Sequence, residues 1–135
     1  MILADTGYFI ALSAPTDQHF ERAVAWTRAI GSERLLVTEY VLLETMNALS
    51  RSDLRQRAVD IADAVKGSNQ FIFVPSSEQV LLGALGEYRS RADKSWSLTD
   101  CMSFQIMREK GITAALAHDH HFEQAGFDAL LRREP

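Results

Sequence analysis

The strongest constraint on the fold is a rhythm of short, unbroken apolar runs separated by longer segments with one apolar face. Leu35-Leu36-Val37-Thr38 and Phe71-Ile72-Phe73-Val74 are too short for helices and do not alternate with polar residues. Continuous apolar runs of this length suit strands covered by helices on both sides of a parallel sheet. Met1 to Ala4 is a third such run, stopped by Asp5-Thr6-Gly7, which reads as a tight turn. Thr113 to Ala117 is a fourth and Phe127 to Leu131 a fifth. Between them, Pro15 to Gly31 is predicted helical: Phe20, Ala23, Val24, Thr27 and Ile30 follow three/four spacing, and Gly31 is a natural stop. Thr38 can cap a helix running to about Ser50, and Ser52 or Asp53 another running to Gly67. Ser77 opens a helix to about Arg91, Ser97 or Thr99 opens one that Gly111 closes, and Phe122 to Ala125 is one helical turn. Strands alternating with helices predict an α/β fold with a mainly parallel sheet and right-handed crossovers.

A chain of 135 residues with no linker or repeat is expected to form a single domain, residues 1–135. It is 47% hydrophobic and 24% charged, which excludes disorder and coiled coil. Cys101 is the one cysteine, so no intrachain disulfide forms, and a cytoplasmic location is expected. No apolar stretch approaches the ~20 residues of a membrane span, and Asp5 breaks the N-terminal run, so neither a signal peptide nor a membrane partner is expected. The net charge of −4 argues against a passive nucleic-acid binder. It does not argue against an acidic metal site acting on a polyanion.

In folds of this class, sites form at the carboxyl ends of the strands. Asp5 ends the first run, Glu44 lies early in the helix after the second, Asp100 sits in the first turn of its helix, and Asp119 follows Thr113 to Ala117. Taken singly, Asp5 is ordinary turn chemistry, Asp100 suits a helix dipole, and Asp119 can cap the Phe122 turn. Glu44 stands out, because Tyr40 to Leu49 is otherwise almost entirely apolar. A buried carboxylate there calls for a cationic partner or a metal. Four converging carboxylates repel one another, by ~4 kcal/mol per pair at ~4 Å and an effective dielectric of ~20. Protons or hard cations such as Mg²⁺ or Mn²⁺ relieve that repulsion.

Four segments carry a family resemblance: Leu3-Ala4-Asp5-Thr6-Gly7, Thr38-Glu39-Tyr40-Val41-Leu42-Leu43-Glu44, Trp96-Ser97-Leu98-Thr99-Asp100-Cys101, and Leu116-Ala117-His118-Asp119-His120-His121-Phe122, continued by Gln124-Ala125-Gly126-Phe127. In this order and spacing the chain resembles a PIN-domain ribonuclease of the VapC toxin type. The resemblance implies a three-layer α/β/α sandwich and a metal-dependent endoribonuclease. It implies that Asp5, Glu44, Asp100 and Asp119 form the metal and catalytic site, holding one or two Mg²⁺ or Mn²⁺ ions. Thr6 and Thr99 match supporting positions. Gly7 is a departure, since many relatives carry Ser there. An RNA substrate (tRNA or rRNA), a cognate antitoxin and a homodimer are further implications.

Other residues bear on that expectation. Arg51, Arg55 and Arg57 form one basic group and Arg89, Arg91 and Lys94 another. They are either solvated faces or contacts for RNA phosphates. Trp96 can stack on a base or pack under the loop before Asp100, and Asp93 can support that loop. The stripe Ala58, Ile61, Ala62, Val65 is core or a groove for a partner helix. His118, His120 and His121 flank Asp119, but only His19 remains to complete a zinc set. One of them is expected near the scissile phosphate. Cys101 lacks a placeable His partner and is not expected to be a nucleophile. A haloacid-dehalogenase-type phosphatase needs a second Asp where Gly7 stands. A non-catalytic RNA- or protein-binding module on the same fold is the other alternative.

Overall fold

The computed structural model describes all residues, Met1–Pro135. Five strands form one sheet: β1 (Ile2–Ala4), β2 (Leu35–Thr38), β3 (Phe71–Val74), β4 (Ala114–Leu116) and β5 (Asp128–Ala129). Their spatial order is β3-β2-β1-β4-β5 and every pairing is parallel. The α/β expectation is met. Seven helices connect and cover the sheet: α1 (Thr6–Ser13), α2 (Phe20–Ile30), α3 (Glu39–Ala48), α4 (Arg55–Gly67), α5 (Glu78–Ser90), α6 (Leu98–Lys110) and α7 (His120–Gln124). A 3₁₀ turn, Leu130–Arg132, follows β5.

Alternation along each strand divides the core in two. Leu3, Leu36 and Ala115 face one layer with Phe104, Met107 and Phe122, from α6 and α7. Ala4, Leu35, Val37 and Leu116 face the other with Tyr8, Phe9, Trp26, Val41 and Val65, from α1 to α4. Residues next to each other in sequence thus bury themselves in opposite layers. This is why the runs are continuous rather than alternating.

Several local expectations need correction. Asp5-Thr6-Gly7 is not a tight turn but the start of α1, with Asp5 as its N-cap residue. The helix escapes periodicity because Tyr8, Phe9 and Ala11 are all buried, leaving little polar face to mark a period. The helix predicted from Pro15 begins only at Phe20. Before it, the Asp17 carboxylate accepts from His19 N (2.8 Å) and Asp17 O accepts from Phe20 N (3.1 Å), turning the chain. Neither Ser52 nor Asp53 caps α4, since Asp53 pairs with Arg51 instead and the N-cap residue is Leu54. The run Phe127 to Leu131 contributes only the two residues of β5 before tightening into the 3₁₀ turn. The predicted caps Thr38, Ser77 and Ser97 all form, accepting from Val41 N, Val80 N and Asp100 N. Gly111 closes α6 at φ 66°, a left-handed conformation suited to glycine. No helix is long and apolar enough to cross a membrane.

Candidate active site

The order of the sheet creates the site. The chain runs from β1 to β2 and β3 on one side and then crosses back to β4 on the other side of β1, so a crevice opens at the carboxyl end of β1. Asp5 leaves the end of β1 into that crevice. Its amide donates to Leu116 O of β4 (3.2 Å), and its carboxylate makes no capping bond. Asp119 leaves the end of β4 and caps α7 through His121 N (3.0 Å). Asp100 stands in the first turn of α6, where Ser97 and Asp100 form a reciprocal capping box. Glu44 reaches in from α3. All four acids line one cleft of about 340 Å³, together with Thr6, Gly7, Ser95, Ser97, His118 and His121. No lysine or arginine lines it.

Glu44 is in the cleft for a reason other than the one its sequence context suggested. It is exposed, not buried, and has no ion pair. Its apolar neighbourhood arises because α3 leaves apolar residues in solvent, Leu43 being 56% exposed. Thr6 is buried, and its Oγ1 has no hydrogen-bond partner, a hydroxyl aimed at no protein acceptor beside Asp5. Thr99 does not line the acidic cleft. It lines a neighbouring hollow with Tyr40, Leu43, Asn47 and Met102, reached through the shared Glu44.

The charges repel as expected. Burial, then the Asp100 charge, and more weakly Glu44, push the Asp5 carboxyl up to about 7, against the amides of Thr6 and Gly7. Burial also raises Asp100, opposed by its bonds from Ser97 N and His121, with Asp119 adding to the rise. Burial, reinforced by His19, lowers His118. The two imidazoles stack at 4.2 Å between centroids and 11° between planes. His118 also explains Gly7. A Cβ at that position would stand 2.6 Å from His118 Nε2 and 2.7 Å from its Cδ2. The missing side chain and the neighbouring imidazole are complementary.

The other nominated residues divide. Arg91 and Lys94 line a hollow that shares Ser95 and Ser97 with the acidic cleft, so they stand against its wall. Both pair with Asp93, which does brace that loop. Arg51, Arg55 and Arg89 are exposed and line neither hollow. Trp96 does not stand free for a base. It is buried, packs edge-on to Phe104 (5.1 Å), carries Arg91 on its ring (4.8 Å) and donates from Nε1 to Gln124 Oε1 (2.9 Å). Burial, with Glu87 and Asp100, pushes the Cys101 thiol up to about 11, so it is no nucleophile. Sequence reasoning did not single out His121 over its neighbours. Its Nδ1 lies 3.0 Å from Asp100 Oδ2 and 3.2 Å from Asp119 Oδ1. The readable signal was its place two residues after the helix-capping Asp119.

A parallel β3-β2-β1-β4-β5 sheet with four acids at its central crevice defines a class of proteins, and the comparisons agree: the chain belongs to the PIN domain family, whose model matches residues 2–128. Among individual proteins, it is similar to the 23S rRNA-specific endonuclease VapC20 of Mycobacterium tuberculosis. The two are 33% identical over 129 residues, covering 94% of this chain and 95% of that one. The crystal structure of that VapC20, described as a sarcin-ricin loop cleaving toxin, matches with a TM-score of 0.86 at 27% identity, covering 96% of this chain and 98% of the other. FitAcB from Neisseria gonorrhoeae shares the fold at a TM-score of 0.68 and 19% identity, over 95% of each chain. The resemblance to VapC-type toxins drawn from the four segments therefore holds across the chain.

Proposed function

We propose that this protein is a divalent-metal-dependent endoribonuclease that acts on ribosomal RNA, and the toxin of a toxin–antitoxin pair. The observation that carries this reading is the cleft itself, where Asp5, Glu44, Asp100 and Asp119 meet with no lysine or arginine among its lining residues. The donor set fits Mg²⁺ or Mn²⁺, being all carboxylate oxygen on the acidic side, with Asp5 raised by burial and then by the Asp100 charge. Asp5, Glu44 and Asp100 are the principal ligands in this reading, and Asp119 completes a second position or acts through water. One or two bound ions would supply an activated water and stabilise charge on the phosphate. The chain's own residues orient that chemistry. Ser97 fixes the Asp100 rotamer through the capping box. Thr6 Oγ1 is free to hold a ligand or water beside Asp5. Arg91 and Lys94 stand where an RNA backbone leaving the cleft would pass.

The rRNA substrate follows the VapC20 relative, which is named for 23S rRNA. The VapC-type resemblance also supports an antitoxin and a homodimer in the cytoplasm. A partner helix has a groove between α1 and α4, lined by Phe9, Leu12 and Ile61.

The test is calorimetric Mn²⁺ titration of partner-free protein beside Asp100→Asn, with both proteins then incubated with intact ribosomes and total RNA and new 5′ ends mapped. Metal binding and a discrete 23S cut, both lost in the variant, are expected. Cuts confined to tRNA would keep the nuclease and replace the substrate. RNA affinity with no metal binding, unchanged by the substitution, would favour a non-catalytic binding module instead.

A further inference from the structure

His121 occupies a singular place. Its ring Nδ1 hydrogen-bonds Asp100 Oδ2 of α6 at 3.0 Å and lies 3.2 Å from Asp119 Oδ1, the N-cap carboxylate of its own helix. These are the same two oxygens already engaged by the backbone. Asp100 Oδ2 also accepts from Ser97 N (3.1 Å), and Asp119 Oδ1 also accepts from His121 N (3.0 Å). Every protein N–H donor that reaches these two acids goes to one oxygen of each. Asp100 Oδ1 and Asp119 Oδ2 accept nothing from the protein.

The ring is firmly held. Phe122, next in sequence, is fully buried and packs edge-on to Phe104 of α6, at 5.1 Å and 86°. The helix that carries His121 is thus locked against the helix that carries Asp100. Gln124, one turn further, accepts from Trp96 Nε1 and ties the same helix to the Ser95–Ser97 loop. The His121 side chain is only 15% exposed, so it cannot leave without breaking these contacts.

We infer that His121 is a positioning residue for the metal site: its ring Nδ1–H holds one oxygen of Asp100, its backbone N–H holds one of Asp119, and so it presents the other oxygen of each to the ion. This rests on the metal-site reading above. Carboxylate ligands are commonly oriented by such outer donors, and losing one typically weakens metal affinity 10- to 100-fold. Asp119, His120 and His121 also place three ligand-type atoms close together, as a His-containing metal site would. The two arrangements differ in which nitrogen matters. As a positioning residue the His121 ring works through Nδ1, whereas a ligand whose Nδ1 already serves Asp100 would have to work through Nε2.

Asparagine places its amide N–H near the Nδ1 position, and glutamine places its own near Nε2. The experiment is Mn²⁺ titration by calorimetry, with thermal melts of the metal-free proteins, on wild type, D100N, H121A, H121N and H121Q. Expected are a 10- to 100-fold weaker Mn²⁺ affinity for H121A, recovery of most of it in H121N, and no recovery in H121Q. Unchanged affinity in H121A while D100N loses binding would overturn the role of His121 and leave the metal site standing. Recovery in H121Q and not in H121N would also overturn it, assigning the ring as a ligand through Nε2. Equal binding by wild type and D100N would remove the metal site itself. Should H121A fail to give a melting transition, the contrast between H121N and H121Q decides alone.

Discussion

Gly7→Ala tests how tightly the rim of the cleft is built. A Cβ there would lie 2.6 Å from His118 Nε2 and 2.7 Å from Cδ2. Comfortable heavy-atom contact begins near ~3.5 Å, so the ring must retreat by about 1 Å. It has little room, because His19 stacks on it at 4.2 Å and the preceding residue, Ala117, is fully buried in the core. Overpacking of this kind costs about 1–3 kcal/mol. Against it, alanine gains up to about 1 kcal/mol over glycine within a helix, and Gly7 lies in the first turn of α1. The net expectation is a loss of about 1 kcal/mol, or about 3–5 °C in melting temperature for a domain of this size. A double-mutant cycle separates the two contributions. In a His118→Ala background the clash is gone, and Gly7→Ala should then stabilise. Urea unfolding followed by circular dichroism on the four proteins gives the coupling, expected at about 1–3 kcal/mol. If Gly7→Ala stabilises wild type as much as it stabilises His118→Ala, the ring is not held against Gly7. The complementarity described above would then be wrong.

Further outcomes follow from the same structure. The folded-state pKa of Asp5, about 7, lies above its ordinary value of 3.8, so the folded protein binds the extra proton between these values. Metal-free stability therefore falls as pH rises from about 4 to about 7, and Asp5→Asn should flatten that slope in melts taken across the range. Saturating Mn²⁺ should restore stability more at pH 8 than at pH 5, because the ion competes with the proton for the same oxygens. Phe104→Ala empties the centre of the α6–α7 layer and is expected to cost about 3–5 kcal/mol in urea unfolding. Leu43→Ala, at a side chain 56% exposed, should change the stability of the isolated chain by no more than about 0.5 kcal/mol. Cys101, buried and with its thiol pushed up to about 11, should resist iodoacetamide at pH 8 until denaturant is added.

Much of the architecture was legible because parallel strands advertise themselves. The apolar runs at β2 and β3 coincide with the strands to the residue, and polar caps at Thr38, Ser77 and Ser97 mark the helices that follow strands or loops. α1 was not legible, because a helix buried on most sides loses the period that would reveal it. The apolar spacing that marks α2 starts at Phe20, where the helix begins, and the five residues before it are turned by Asp17. At the site, strand ends pointed to Asp5 and Asp119, and a helix start pointed to Asp100. Glu44 was nominated from a supposed burial that the structure does not show, and it still lines the cleft. What no linear pattern carries is the cross-helix geometry. The bridging of Asp100 and Asp119 by His121, and the fit of Gly7 to His118, depend on segments about a helix and a strand apart.

The position of β4 in the sheet has a consequence in time. A strand from the last third of the chain sits beside β1, between the first strand made and the last. During synthesis, β1, β2 and β3 can pair while the β1 edge that will receive β4 is still bare. A nascent or clipped chain that ends before α6 carries Asp5 and Glu44 but neither Asp100 nor Asp119. Such fragments carry half a cleft. The cleft is thus complete only once α6 and β4 are in place, and a protease that cuts ahead of β4 disarms the product by removing Asp119 and the strand that flanks β1.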